Sequence, residues 1–482
     1  MTDWLPIHIS PHAAAIFRQE HLTYSLFYTP GYLVVVPAPE ATRFTASLLD
    51  AQLTHPEALN LYQQAQTVRR RWDALQTTPF APVCLTLYLH NQCNLFCPYC
   101  YAKPSPLSSP RLNLRTIRDA AALVAANCQH QASGMTLVCH GGGEPALDQP
   151  YLAQVLHEVD AVAQQAHVPL FRYLATNGVF PSATARFLAE KFDLLGLSCD
   201  GPPDIQARQR PLWGGQNSAP YVENSARIWR EQGIPFHVRV TITPQSVARQ
   251  SEIAHYLCQI LKPAAIHVEP VYGVGRATPS MTLHDAEEFV IAFLAAQQVA
   301  QQYGLRWQYS GSRVNEIHGP YCHLFRQVLN LIPGDTATAC FKITQAEQAK
   351  AAGVQLRTYA LWPVCPQSHS EYGQETGSSS PVSSRLCSDP GEYPFLLDKR
   401  QIDYLRQVLF PLPEQCRDCF NQYHCVRGCP EVCPLDDAAA GIPAFRCQLQ
   451  KTLTQARLDQ ITAQVRDQIN AGIIIGREVL PL

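Results

Sequence analysis

Three cysteines stand close together in "CNLFCPYCY": Cys93, Cys97 and Cys100, spaced C-x3-C-x2-C. A disulfide takes two thiols, and a closed structural zinc site takes four ligands. Three thiolates can bind three irons of a cubane [4Fe–4S] cluster and leave the fourth iron to an exogenous ligand. By spacing alone, a zinc site finished by a distant residue is the other reading. Further on, "HGGGEP" (140–145) sets Gly141, Gly142 and Gly143 ahead of Glu144. Residues without a Cβ let a backbone come close to a ligand, and the carboxylate can accept from an ammonium group. "LSCDGPPDIQARQRP" points Ser198 and Asp200 to one face of a strand, with Cys199 opposite. Arg210, ten residues beyond Asp200, offers a planar guanidinium for a carboxylate. Taken singly, a glycine turn and a surface arginine are the ordinary readings of the last two.

The C-terminal third is also rich in thiols. "CRDCFNQYHCVRGC" places Cys416, Cys419, Cys425 and Cys429 as C-x2-C-x5-C-x3-C, with Cys447 after seventeen intervening residues. Cys322, Gly334 and Cys340 precede them. Of 18 cysteines, nine follow residue 330 and five lie between 416 and 433. A disulfide-built secreted protein would be small and would carry an export signal. This chain has 482 residues, and "MTDWLPIHIS" lacks a basic start followed by an apolar run. Metal or cluster ligation in a reducing cytoplasm is therefore the expectation. The net charge of −2 gives no electrostatic footprint for nucleic acid or an anionic membrane. No apolar run is long enough to span a bilayer, "GIIIG" included. No nucleic-acid or membrane partner is expected. Cys84, Cys128, Cys139 and Cys258 fall inside predicted strands and helices and read as small buried hydrophobes.

The elements that must position these residues alternate. "VCLTLYLH" (83–90), "MTLVCH" (135–140), "LFRYLAT" (170–176), "LLGLSCD" (194–200), "FHVRVTIT" (236–243) and "AIHVEPV" (265–271) are strand-like, and stretches of helical period separate them. Six strand-then-helix units predict an α/β fold, a parallel sheet in an open, partial (β/α)6 barrel, with chemistry at the C-terminal strand ends. Residues 1–78 precede it. There "YSLFYTPGYLVVVPA" reads as two strands about a Pro-Gly turn, and Arg69–Arg71 as a solvated helix face or a patch for an acidic peptide. The barrel is expected over 79–312, a cysteine-rich domain over 313–450, and a C-terminal helix and tail over 451–482. "SHSEYGQETGSSSPVSS" (368–384) reads as a surface loop, and "LQKTLTQARLDQITAQVRDQINAG" as one amphipathic helix stopped by Gly472.

Together the motifs, over residues 83 to about 310, resemble the radical S-adenosylmethionine (SAM) enzymes, whose hallmark is the C-x3-C-x2-C turn with an aromatic before its last cysteine. The resemblance implies that Cys93, Cys97 and Cys100 hold a [4Fe–4S] cluster whose open iron binds SAM, and that Tyr99 lies near the adenine. It implies that Gly142, Gly143 and Glu144 hold the methionine ammonium, and that Asn177, Ser198 and Arg210 contact the ribose and methionine carboxylate. The C-terminal pattern resembles the SPASM extension with two auxiliary [4Fe–4S] clusters. That likeness implies Cys416, Cys419, Cys425 and Cys447 on one, and Cys322, Cys340 and Cys429 on the other. The second set lacks a fourth cysteine; Cys365, Cys387 or Cys433 completes it, or its iron is open.

Enzymes of this layout mostly act on peptides and proteins, with an electron donor such as flavodoxin or ferredoxin. The leading expectation is a maturase that abstracts hydrogen from a ribosomally made peptide and installs a thioether or carbon–carbon crosslink. The alternatives are a sulfatase-maturase-like enzyme forming formylglycine, a small-molecule SPASM dehydrogenase or cofactor-biosynthesis enzyme, and a non-catalytic Fe–S or zinc scaffold. Sulfatase maturases carry an acid just after the cysteine matched by Cys340; here Phe341 stands there. The N-terminal strand pair is a candidate edge for a leader peptide. His140, at the end of the second strand, either faces the substrate or makes a structural hydrogen bond.

Overall fold

The computed structural model describes residues 3–9, 15–49, 53–107, 109–271, 276, 281–309, 311, 314, 316–320, 322–358, 395–425 and 445–479. Cys365, Cys387, Cys429, Cys433 and the 368–384 stretch lie outside them. The chain opens with antiparallel strands β1 (Trp4–Ile7), β2 (Ile16–Glu20), β3 (Tyr24–Thr29) and β4 (Tyr32–Pro37). The β3–β4 turn is the expected Pro30-Gly31 pair, with Gly31 at φ +89°. Two helices follow, α1 (Ala38–Leu49) and α2 (Pro56–Thr77), the second capped by His55. Period-two alternation splits the sheet's residues. Phe27, Val34 and Val36 pack with Phe44, Leu61 and Ala65 in a core of their own, whereas Leu26, Tyr28, Leu33 and Val35 join the main core.

The alternating part follows as β5 (Cys84–Leu87), α3 (Leu114–His130), β6 (Met135–Cys139), α4 (Gln149–Gln165), β7 (Leu170–Thr176), α5 (Ser182–Lys191), β8 (Leu194–Ser198), α6 (Pro203–Gln209), α7 (Ala219–Glu231), β9 (Phe236–Ile242), α8 (Gln250–Tyr256), β10 (Ala265–Pro270), α9 (Leu283–Gln302) and β11 (Trp307–Tyr309). The six expected strands occur in the expected order, each parallel to its neighbour. Two more parallel strands extend them. The short β11 pairs with β10, and β12 (Val328–Ile332) lies beside β5 and carries the antiparallel β13 (Thr336–Thr338). The sheet order is β11-β10-β9-β8-β7-β6-β5-β12-β13, with open ends. One face, including Leu85, Leu137, Leu197, Val238 and Ile266, is fully buried. Thr136, Tyr173, Ser198, His237, Arg239, His267 and Glu269 alternate with them and are only partly buried, so the opposite face is polar and partly accessible.

The remainder holds α10 (Ala346–Ala351), the paired short strands β14 (Arg357–Thr358) and β15 (Leu396–Leu397), α11 (Lys399–Leu409), α12 (Phe445–Ala463), α13 (Arg466–Asn470) and β16 (Ile475–Glu478). The expected single terminal helix is two. Residues 464–465 break it, and Gly472 then turns the chain at φ +76° into β16. β16 pairs antiparallel with β4, so the two ends of the chain share one five-stranded sheet. No helix among the described residues is long and apolar enough to cross a membrane.

Candidate cofactor site

The three-cysteine loop leaves the C-terminal end of β5, where a parallel sheet exposes its unpaired strand ends. Its backbone is fastened on two sides. Cys93 N–H donates to Ser105 O (2.8 Å), and Phe96 N–H donates to Pro211 O (2.8 Å). Burial pushes the Cys93 thiol up to about 12 and the Cys97 thiol higher, and the neighbouring thiols add to both shifts. Such thiols keep their protons until a cation replaces them, which is how a cluster or metal binds cysteine. Among the described residues, no three His, Cys, Asp or Glu side chains form a ready-made metal cage. The fit to an iron–sulfur cluster therefore rests on the donor set: three thiols of one short loop, Cys97 buried and Cys93 and Cys100 partly buried, within reach of each other's charge.

The glycine loop after β6 docks on this loop. A Cβ on Gly143 would fall 1.9 Å from Gln92 O, and one on Gly142 would fall 2.8 Å from His90 O. Gly143 N–H donates to His90 O (3.0 Å) and Glu144 N–H to Gln92 O (2.8 Å). The close approach expected of the glycines is thus made to the backbone that leads into the cysteines. Glu144 is buried. It accepts from Thr176 Oγ1 (2.7 Å), Ala146 N–H (3.1 Å) and Asn177 N–H (2.7 Å). Burial outweighs these bonds and raises its pKa to about 7. A fully enclosed carboxylate held by neutral donors suits a cation.

Asn177 is committed to the same joint. Its Nδ2 donates to Asn94 Oδ1 (2.8 Å) and points at Cys93 Sγ (3.8 Å), and its Oδ1 accepts from Val179 N–H (2.8 Å). These bonds fasten the cysteine loop. Arg210 pairs with the carboxylate of Asp200. Its Nε lies 3.0 Å from Asp200 Oδ1. Asp200, fully buried, also accepts from Tyr99 OH (2.5 Å), Gln209 Nε2 (2.8 Å) and Thr241 N–H (2.9 Å). The guanidinium sits 5.3 Å over the Tyr99 ring. Tyr99, between two cysteines, is thereby tied to the loop after β8. Ser198 ends β8 on the accessible face, in register with Arg239.

Across the strand ends, His140 Nε2 lies 3.4 Å from Arg239 Nη1. Burial, then the Arg239 and His323 charges, lower the His140 pKa to about 3. Phe341 stands opposite. Its ring is 6.1 Å from those of Tyr101 and His323, and its carbonyl accepts from Tyr88 OH (2.5 Å). Cys322 Sγ donates to Ala339 O (3.5 Å), which brings it beside Cys340. Cys416, Cys419, Cys425 and Cys447 converge on Lys451. Burial lowers the ammonium's pKa, but these four thiols together raise it above its ordinary value. Cys128, Cys139 and Cys258 are buried as expected, while Cys84 is half-buried.

Comparison with known proteins agrees with this geometry. Residues 87–256 match the Radical SAM superfamily model. A cysteine-type anaerobic sulfatase-maturating enzyme of Clostridium perfringens is 25% identical over 166 residues, covering 34% of this chain. The matched stretch spans 45% of that protein's length. The solved structure of native anSMEcpe with bound AdoMet superposes at a TM-score of 0.57 with 16% identity, over 80% of this chain and all of that one. The same protein with bound AdoMet and Cp18Cys peptide does so equally well, at a TM-score of 0.57.

Proposed function

We propose, from a chain whose residues 87–256 form a radical SAM domain, that this protein is a maturase acting on a peptide or protein substrate. The observation that carries the reading is the joint just described: three thiols at one strand end, tied to the enclosed Glu144 and to the Tyr99–Asp200–Arg210 cluster. When bound, the cluster and SAM supply an electron and a 5′-deoxyadenosyl radical that abstracts hydrogen from an unactivated C–H bond. The chain's own part is positional. Cys93, Cys97 and Cys100 hold the cluster; Glu144 takes the SAM ammonium. Gly142 and Gly143 seat the Glu144 loop against residues 90–92, and Asn177 fixes Cys93 and Asn94. Cys416, Cys419, Cys425 and Cys447 hold a second cluster around Lys451, and Cys322 and Cys340 contribute to a third. Flavodoxin or ferredoxin provides the electron.

The product is a peptide that has lost hydrogen through a thioether or carbon–carbon bond. Phe341 and its aromatic surroundings, with no acid following Cys340, favour this over formylglycine. The formylglycine reading is kept alive by the similarity to the C. perfringens protein. Two measurements test both. Reconstituted protein with dithionite and SAM should yield methionine and 5′-deoxyadenosine, and a chain that cleaves no SAM is a scaffold. Co-expression with a short open reading frame beside its gene should lower the peptide mass by two hydrogens per crosslink. Conversion of a sulfatase Cys or Ser peptide to an aldehyde, with the precursor unchanged, would favour formylglycine.

A further inference from the structure

The sheet shared by the two ends of the chain finishes on β16, four residues paired outside β4. Ile475 faces Val35, Gly476 Val34, Arg477 Leu33 and Glu478 Tyr32. The two strands differ in burial. Leu33, Val34, Val35 and Val36 are fully buried, whereas Ile475 and Gly476 are half-buried and Arg477 and Glu478 exposed. Alternation lays Ile474 against the small N-terminal core and Ile475 against the main core. One position is a tight fit. A Cβ on Gly476 would fall 1.8 Å from Glu57 Oε2 and 2.2 Å from Tyr32 OH. Tyr32 OH donates to that Glu57 oxygen (2.5 Å), so the pair closes over the glycine. Beyond the paired residues, Val479 N–H donates to Gly31 O (3.0 Å). Between β16 and α2 lies a cavity of about 680 Å³, lined by Tyr32, by Asn60, Gln63, Gln64 and Thr67 from one face of the helix, and by residues 476–478. At residues 476–478 the strand therefore meets amides and a hydroxyl from the helix. The exposed turn 471–473, with Gly472 at φ +76°, joins β16 to α13.

We propose that the trough between β4 and α2 is a strand-acceptor site and that β16 is its exchangeable occupant, a C-terminal latch that leaves and re-enters while the rest of the fold stands. Strand addition draws its affinity from main-chain bonds, which any extended segment supplies, and its selectivity from side-chain fit. Here the acceptor is permanent, because β4 is held by β3 and packs into a core on each face. The occupant is not, because it has few buried side chains to offset the ordering of its own backbone. Release bares N–H and C=O groups along the edge of β4, so the open state is sparsely populated and a strand returns to the same place. The resident's own pattern defines what fits. It is an extended segment with two isoleucines, then a residue without a Cβ beneath the Tyr32–Glu57 bond, then polar residues along the amide-lined cavity. The occupant is therefore segment 474–479 of this chain, offered by the same molecule or by a second copy.

The test uses the full chain and a labelled synthetic peptide of residues 471–479, AGIIIGREV, followed by fluorescence anisotropy. Wild type should bind it saturably but weakly, because the resident strand competes. Gly476→Ala drives a methyl into Glu57 and Tyr32, and should unseat the resident and tighten peptide binding about tenfold or more. Adding Tyr32→Phe and Glu57→Ala removes the three atoms nearest that methyl, and should re-seat the strand and weaken peptide binding again. A peptide with Ala in place of its second glycine should bind Gly476→Ala about tenfold less well than the parent peptide. Amide exchange read by mass spectrometry should show 475–479 losing protection in Gly476→Ala, and β4 regaining it when peptide is added. A wild-type dimer that the peptide returns to monomer in sedimentation would support exchange between copies. The proposal is overturned if wild type takes no peptide, since its resident then does not exchange. It is also overturned if Gly476→Ala keeps 475–479 as protected as wild type, or if a scrambled peptide binds that variant equally well. A Gly476→Ala chain that loses its far-ultraviolet helical signal overturns it too, because β16 is then a fixed part of the fold.

Discussion

Replacing Glu144 by Gln should remove the pH dependence of SAM binding. In the free protein burial holds the Glu144 pKa at about 7. Its bonding partners are an alcohol and two backbone N–H groups, none of them charged. An ammonium placed there requires the carboxylate, so below pH 7 binding must expel a proton. Affinity should then rise with pH and level off above 7, by about tenfold between pH 6 and pH 8. The Gln variant has no proton to expel and should bind with a flat pH profile. It should also bind about ten- to a hundredfold more weakly, for the loss of a charge-assisted contact of about 1.5–3 kcal/mol. Stability without SAM gives an independent reading of the same group. A carboxyl whose folded pKa lies above its unfolded value of 4.5 contributes stability at low pH and loses it as pH rises through about 7. Wild type should therefore lose about 2 kcal/mol from this group between pH 5.5 and pH 8, and the Gln variant should not. Isothermal titration at pH 6, 7 and 8 and urea unfolding at pH 5.5 and 8 measure both. A wild-type affinity that is equal at pH 6 and pH 8, or a variant that keeps the slope, would refute the reasoning.

Other substitutions probe the joint and the clusters. Gly143→Ala drives a methyl into Gln92 O and should separate the two loops, seen as lost iron at the SAM-binding cluster with the auxiliary iron retained. Arg210→Ala leaves Asp200 buried and unpaired and should cost about 3–5 kcal/mol in urea unfolding; adding Asp200→Asn should restore much of that. Replacing Cys93, Cys97 and Cys100 together by Ala should remove one cluster and leave the auxiliary pair, as counted by iron analysis and Mössbauer spectroscopy; zinc in place of iron would sink the assignment.

The strands were legible because each is an apolar run between helical periods, and all six appear where those runs lie. β11 and β12 were not. One has three residues, and the other sits among cysteines where no alternation announces it. "QVRDQINAG" keeps helical composition across the break at 464–465, so composition alone predicts one continuous terminal helix. Site residues were legible by type but not by partner. That Gly143 lies against the Gln92 backbone, that Arg210 pairs with Asp200, and that Asn177 bonds Asn94 and Val179 are facts of packing across strand ends. Lys451 carries no signal in the sequence, because a lone cation has no spacing pattern.

These partners change what the motifs are for. A loop that takes the Cys93 and Cys97 thiols largely out of water is costly to hold open. The order that offsets this cost comes from neighbouring strand ends: Gly143 and Glu144 after β6, Asn177 after β7, Asp200 and Arg210 after β8. Each anchor grips a different part of the loop, at residues 90–92, 93–94 and 99. The same side chains thus face two ways. Loosening any one should disturb the cysteine loop before it disturbs a ligand contact. A drop in SAM affinity in a variant of Asn177 or Arg210 therefore identifies a SAM contact only when its cluster content matches wild type. Glu144 differs, since its carboxylate takes neutral donors alone and leaves its charge uncompensated, which is why it is the residue whose titration should report the ligand directly.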